Sequence, residues 1–245
     1  MKVIINGAGG RMGRALRAIL ETSPAAELAA MVDPFVQGEG MLSSLRAFTG
    51  EADCIIDFSN HAGTAELLSY AVEKNLPVVV STTGHTEEEL ALIRDAAKKI
   101  PVFHSGNMSL GIAVLTQLAR TAAKMFPEAD IEIVESHHNQ KLDVPSGTAL
   151  MLAKAVKDAR PEATMLVGRH ENGKRTKSEI GIHSLRMGNT VGIHEIIINT
   201  GAQILTLKHE AQDRSLFAEG AVSAASFLVR QQPGLYSMDD IVRGE

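Results

Sequence analysis

Through residues 2–105 the chain alternates between two apolar patterns. Short, almost continuous apolar runs have the length and content of buried strands: KVIIN (2–6), ELAAMVD (27–33), DCIIDF (53–58), LPVVVS (76–81) and PVFHS (101–105). Between them stand segments with helical spacing. In GRMGRALRAILETS (10–23), Met12, Leu16, Ile19 and Leu20 share one side. HAGTAELLSYAVEKN (61–75) is a second helix, and TEEELALIRDAAKKI (86–100), opened by a Thr and three Glu, a third. Strands apolar on both faces, alternating with helices, predict a parallel sheet covered on both sides. This is a doubly wound, Rossmann-like nucleotide-binding pattern.

After residue 105 the pattern changes. SLGIAVLTQLARTAAKMF (109–126) predicts a long amphipathic helix, DIEIVESHH (130–138) a half-buried strand, and SGTALMLAKAVKDA (146–159) another helix. Three long alternating segments follow: KSEIGIHSLRM (177–187), TVGIHEIIINT (190–200) and AQILTLKHEA (202–211). The turn signals Gly188-Asn189 and Thr200-Gly201 separate them, which predicts consecutive hairpins in an antiparallel or mixed sheet. HENGKRTK (170–177) reads as a loop, and the Ala-rich RSLFAEGAVSAASFLVRQQ (214–232) as a last helix. The expected division is a dinucleotide-binding domain over 1–105, a mixed α/β domain over 106–215, and a segment 216–245 whose helix returns to the first domain.

Composition narrows the class. The 245 residues are 44% hydrophobic but only 4% aromatic, with no Trp, so the core is built from Ala, Val, Ile, Leu and Met. Twenty-four basic against 29 acidic residues give a net charge of −5, which argues against a nucleic-acid surface. The single cysteine, Cys54, excludes a disulfide within the chain and a zinc site built from cysteines, and suits a reducing cytoplasm. No apolar run is long enough for a membrane span. MKVIINGAGG runs straight into glycines and reads as a first strand rather than a signal peptide.

Two constellations carry chemistry. GAGGRMG (7–13) follows the first strand and opens the first helix, with glycines at 7, 9, 10 and 13. That context suits a tight turn, close approach of backbone to a pyrophosphate, and helix N–H groups aimed at it. Asp33 ends the second strand, where an acid accepts hydrogen bonds from a ribose 2′-OH. A carboxylate there repels a 2′-phosphate and favours NADH over NADPH, although Arg11 and Arg14 lie near enough to soften the preference. STTG (81–84) and SGNMS (105–109) follow later strands, at the end of a parallel sheet where ligands lie. The alternative is a structural turn with helix caps.

The second constellation is ESHHNQKLDVPSGTAL (135–150). His137 and His138 close a strand, Lys141 follows three residues later, and Pro145-Ser146 leads into a helix. Ser146 is a plausible N-cap, with Gly147 and Thr148 supplying N–H groups at a helix start that favours anions. The segment thus offers an anion cradle, a cation and two groups that exchange protons near neutral pH. Metal ligation by the histidines with Asp143, or a plain surface loop, are the other readings; no standard zinc spacing is present.

GAGGRMG, STTG, SGNMSLG (105–111) and ESHHNQKLDVPSGTA (135–149), with LRMGNTVGIHE (185–195) and LKHEAQDRSLFAEGA (207–221), together resemble the 4-hydroxy-tetrahydrodipicolinate reductases. These enzymes, also called dihydrodipicolinate reductases, belong to the diaminopimelate route to lysine. The resemblance implies an N-terminal Rossmann-like domain for NADH or NADPH, and a C-terminal mixed α/β domain that binds a small cyclic dicarboxylate and forms a homotetramer. It implies that Gly7, Ala8, Gly9, Gly10, Arg11 and Met12 hold the pyrophosphate and Asp33 the adenosine ribose. Ser81, Thr82 and Thr83, with Ser105, Gly106, Asn107 and Met108, would line the nicotinamide. His137 would be the acid/base residue, Lys141 the proton donor and His138 a substrate contact, with Ser146, Gly147 and Thr148 at a substrate carboxylate. No metal is implied. Many members carry Phe where this chain has Met108, and some an acid at Ile193. The reaction implied is hydride transfer to an unsaturated cyclic imine. Another Rossmann reductase would share only the first constellation, and an NADH-binding sensor would have no use for Lys141.

Overall fold

The computed structural model describes residues 1–244. The elements run β1 (Lys2–Asn6), α1 (Arg11–Thr22), β2 (Glu27–Val32), β3 (Met41–Leu42), β4 (Cys54–Asp57), α2 (Thr64–Lys74), β5 (Val78–Val80), α3 (Glu87–Ala97) and β6 (Pro101–His104). They continue with α4 (Leu110–Met125), β7 (Asp130–His137), α5 (Gly147–Ala159), β8 (Thr164–Val167), β9 (Glu179–Arg186), β10 (Gly192–Asn199) and β11 (Ile204–Ala211), and then α6 (Ser215–Leu228), β12 (Gly234–Tyr236) and α7 (Met238–Arg243). The chain divides into two compact units. One combines Met1–Ser109 with the segment from Arg214 on; the other is Leu110–Asp213.

The first unit is built on a seven-stranded sheet in the order β12-β6-β5-β4-β1-β2-β3, with every pairing parallel. Ile4, Ile55, Val78, Val80 and Val102 are closed to solvent, as expected of strands with helices on both sides. Helix α3 starts at a capping box, Thr86 and Glu89 each bonding the other's backbone N–H. Helix α6 packs against α1, β4, β5 and β6 through its small residues. Ala218, Gly220, Ala221, Ala224 and Ala225 are all buried. Strands β3 and β12 are two and three residues long, too short for periodicity to show in the sequence.

The second unit holds a five-stranded mixed sheet in the order β11-β10-β7-β9-β8. One expected feature is corrected here: β9 and β10 are not a hairpin, because β7 lies between them. Strand β9 runs parallel to β7 and β10 antiparallel to it. The turn signal at Gly188-Asn189 does bend the chain, but it carries it across the carboxyl end of β7. Met187 N–H donates to the His137 carbonyl (2.9 Å) and Asn139 N–H to the Gly188 carbonyl (3.2 Å), tying that crossing down. The Thr200-Gly201 signal does join an antiparallel pair, β10 with β11.

Both helices of this unit pack on one face of its sheet. Ile131 and Ile133 of β7, Ile180 and Ile182 of β9, and Ile196 and Ile198 of β10 meet Leu115, Ala119, Leu152 and Val156 there. Arg160, just past α5, is buried and turns its guanidinium to the carbonyls of Ala123, Phe126 and Ala129, closing the end of α4. The opposite face, with Val134, Ile193, Glu195 and Ile197, is only half covered.

Candidate active site

In the first unit the turn after β1 is shaped by its own backbone. The N–H groups of Gly7 and Ala8 both donate to the Val32 carbonyl (2.9 and 3.1 Å), and that of Gly10 to the Gly7 carbonyl (3.2 Å). Gly9 N–H donates to Asp33 Oδ2 (3.0 Å), while Asp33 Oδ1 accepts from Phe35 and Val36 N–H (2.9 and 3.0 Å). The glycine turn and Asp33 are thus one hydrogen-bonded assembly. Gly13 makes the close approach: a Cβ on it would stand 2.3 Å from the Gly7 carbonyl oxygen and 2.6 Å from Ala8 Cα. Arg11 and Met12 lie in the first turn of α1, whose N–H groups have no acceptor within the helix. A cavity of about 760 Å³ opens beside this turn, lined by Gly7, Gly9, Gly10, Asp33 and Ser44 among others. A glycine-tight strand-to-helix turn, a helix start and an acid on one cavity fit a dinucleotide.

Beyond β4 and β5 the hydroxyls turn inward. Asp57 is buried, and its carboxylate accepts from Asn6 Nδ2 (2.7 Å), Ser59 Oγ (2.6 Å) and Thr82 Oγ1 (2.6 Å). Burial pushes its pKa up, against the pull of the hydrogen bonds from Ser59, Thr82 and Asn6. Ser81 and Thr82 are buried beside it, and Thr83 is exposed. In the 105–109 loop, Ser105 Oγ donates to the Asn107 carbonyl (2.7 Å) and Ser109 N–H to Asn107 Oδ1 (2.8 Å). Gly106 is exposed there and Met108 buried. Sequence reasoning passed over His61, His85 and His104, which meet edge to face at the same ends of the strands.

In the second unit the core face of the sheet changes character toward the carboxyl end of β7. Two layers are isoleucine throughout: Ile180, Ile131 and Ile198, then Ile182, Ile133 and Ile196. The next layer is Ser184, Glu135 and His194, and beyond it His137 pairs with Arg186. Because strand side chains alternate, Glu135 and His137 share the face of the isoleucines, toward α5.

Glu135 is fully buried and gathers this layer. Its Oε2 accepts from His137 Nδ1 (2.6 Å) and Arg186 Nη1 (2.8 Å). Its Oε1 accepts from Arg186 Nη2 (2.8 Å) and from Ser146 N–H (3.1 Å). Burial alone would raise the carboxyl's pKa; bonds from Arg186, His137 and the Ser146 backbone overcome it and hold the group at about 2. Ser146 caps α5, its hydroxyl accepting from Ala149 N–H (3.2 Å) and meeting His194 Nε2 (3.1 Å). Gly147 and Thr148 precede Ala149, in the part of the first turn that lies ahead of the helix's own acceptors.

The imidazoles are pushed toward neutrality. His194 is almost closed to solvent; burial, with His137 and His209 near, lowers its pKa to about 4. Burial also lowers that of His137, which Glu135 raises and Lys141 and Arg186 lower further. The two rings meet edge to face with centroids 5.2 Å apart. A Cβ at Gly192 would stand 3.1 Å from His137 Nε2, so the glycine leaves room beside that nitrogen on the β10 side. Lys141 is mostly buried and pairs with Asp143 (2.8 Å), and its N–H closes a turn on the His138 carbonyl (3.1 Å).

The structure therefore brings His137, Ser146 and the start of α5 together, with Lys141 in the intervening loop. Sequence reasoning gave no role to Glu135, Arg186 or His194. The signal was present: Glu135 and His194 interrupt rows that otherwise read isoleucine at every second position.

Comparison with known proteins places the whole chain. The family model for the dihydrodipicolinate reductase N-terminus matches residues 1–108, and that for its C-terminus residues 111–242. A 4-hydroxy-tetrahydrodipicolinate reductase of Caldanaerobacter subterraneus subsp. tengcongensis is 44% identical, over 99% of this chain and 98% of its own length. That of Clostridium novyi is 39% identical, over 100% and 99%. Among solved structures, a dipicolinate-bound dihydrodipicolinate reductase from Paenisporosarcina sp. TG-14 matches with a TM-score of 0.83 and 27% identity, covering 98% of this chain and 99% of its own.

Proposed function

Because the chain belongs to the dihydrodipicolinate reductase family, we propose that it reduces 4-hydroxy-tetrahydrodipicolinate to tetrahydrodipicolinate, in the diaminopimelate route to lysine. It is an NAD(P)H-dependent oxidoreductase. The nicotinamide, when bound, supplies the hydride. The observation that carries the reading is the second unit's site: a glutamate-anchored imidazole beside a helix start, with a lysine in the loop between them.

Each residue then has a task. Adding hydride to a cyclic imine dicarboxylate builds negative charge on its carbon and nitrogen framework. Lys141 and His137 stabilise that charge and one of them protonates it; loss of the 4-hydroxyl as water is a separate elimination, in which the same groups protonate the leaving oxygen and the ring C–H proton given up as the double bond forms replaces the proton spent. One substrate carboxylate rests at the start of α5 on Ser146, Gly147 and Thr148, and His138 contacts the ring. The solved relative with dipicolinate bound supports a dicarboxylate of this size. Gly7 to Met12 hold the pyrophosphate, Asp33 the ribose, and residues 81–83 and 105–108 the nicotinamide. Asp33 sets its carboxylate beside the glycine turn, which favours NADH or dual use over NADPH alone. The single cysteine suits work in a reducing cytoplasm, and the half-covered sheet face of the second unit suits a homotetramer. Among the described residues no helix is long and apolar enough to cross a membrane.

The test is NADH oxidation with substrate made in place by the preceding synthase, repeated with NADPH. Lys141→Ala and His137→Ala should each lose roughly 10²- to 10⁴-fold in kcat, the usual worth of a positioned proton donor, while NADH affinity holds. A Lys141→Ala enzyme with near-normal kcat would remove the lysine from the mechanism. A strong preference for NADPH would overturn the reading of Asp33.

A further inference from the structure

Glu135 touches three elements at once. Its carboxylate bonds the His137 ring on its own strand, the guanidinium of Arg186 on β9, and the N–H of Ser146 where α5 begins. The cores of small units rarely hold a carboxylate unless it is fully paired. Here every bond leads to a residue at the proton-exchanging end of the sheet.

We propose that Glu135 is the positioning residue of this site: it holds His137 as the Nδ1–H tautomer and fixes its Nε2 relative to the substrate-binding start of α5. This rests on the reading of His137 as the proton-exchanging residue. An ionised carboxylate only accepts hydrogen bonds, so the 2.6 Å contact requires the proton on Nδ1. Glu135 is ionised at neutral pH, since its pKa is held at about 2. The ring nitrogen left to take up and release a proton is then Nε2, the one that faces Gly192. The same carboxylate holds the Ser146 backbone, so acid and anion cradle cannot drift apart independently. The groups facing the ring balance one another. Glu135 favours imidazolium; Arg186 on β9, Lys141 in the loop and burial oppose it, and His194 on β10 is neutral.

Two measurements decide this. The first needs no variant. Long-range proton–nitrogen spectra of the ¹⁵N-labelled protein, with His137 assigned by loss of its signals in His137→Gln, report the tautomer of the neutral ring. A protonated Nδ1 is expected; a proton on Nε2 overturns the proposal, whether or not any Glu135 variant folds. The second is kinetic. Glu135→Gln should lower kcat by about tenfold or more with NADH affinity unchanged. The limb of the kcat–pH profile set by protonated His137 should move to lower pH, because the charge that favours imidazolium is gone. Added to His137→Gln, the same substitution should change kcat by less than about twofold, the mark of two residues acting as one. If Glu135→Gln lowers only thermal stability and leaves the limb in place, or if the two losses multiply, Glu135 is a structural clamp. A His137→Gln enzyme of normal kcat would instead overturn the reading of the acid beneath the proposal, and the ring spectrum would still judge the geometry.

Discussion

His194 occupies a strand face it shares with Ile196 and Ile198, and its ring is neutral in the fold because burial holds its pKa at about 4. In the unfolded chain the ordinary value is 6.5, so between those values the unfolded state binds the extra proton. The stability from keeping this ring buried is therefore complete above pH 6.5 and is lost as pH falls toward 4. Glu135 acts lower on the scale. Held at about 2 against 4.5, it contributes fully above 4.5 and is lost as pH falls toward 2. A shift of this size corresponds to about 3 kcal/mol for each group. We expect the unfolding temperature to fall in two successive stages on acidification. His194→Gln should shrink the upper stage, which His137, His104, His85 and His209, also lowered by burial, share, and should leave the lower. Equal slopes for wild type and variant between pH 4 and 6.5 would show that the ring protonates without cost. Both residues were legible as breaks in an isoleucine row. Their partners were not, since Arg186 lies 51 residues from Glu135 and meets it only through strand register.

At the scale of elements, strand and helix identity followed from periodicity, whereas neighbour relations did not. The segments 177–187 and 190–200 alternate as strands should, and a Gly-Asn step between them looks like a hairpin turn. What local signals could not reveal is that β7, with two isoleucines on its core face, is the better neighbour for both. The crossing over the end of β7 brings Gly192 against His137. An added methyl 3.1 Å from Nε2 makes the ring give by a few tenths of an ångström against its bond to Glu135, so Gly192→Ala should displace it. We expect kcat to drop by roughly tenfold with little change in NADH affinity. Unchanged kcat would mean that the ring relaxes at no cost to the chemistry. The glycine turn after β1 was legible for the opposite reason: strand, turn, helix start and acid lie within residues 2–33, and their spacing is local.

On the scale of the whole molecule, the second unit's sheet has, among the described residues, the helices of its own unit on one face only. The other presents Val134, Ile193 and Ile197 half covered, with Ile204 exposed at its edge. A monomer seldom leaves that much apolar sheet to water. We expect a tetramer assembled through this face. Sedimentation at about micromolar concentration should give four chains, and Ile197→Lys, a charge in the middle of the face, should give fewer. A wild-type monomer would sink the assignment. The alternation in 177–211 is that of strands with one face on a core; which copy covers the other face is a matter of surface complementarity that no single chain encodes locally.

Helix α6 belongs to the first unit but follows the whole of the second. On the ribosome, then, the dinucleotide-binding sheet emerges early yet waits for its last covering helix until residues 110–213 have been made. During that interval β4, β5 and β6 lack α6, with its buried row of small residues, against them. The second unit is continuous and has no such wait. The order of synthesis thus runs opposite to the order of completion, and the part of the chain made first is the one most exposed to chaperones and proteases while translation goes on.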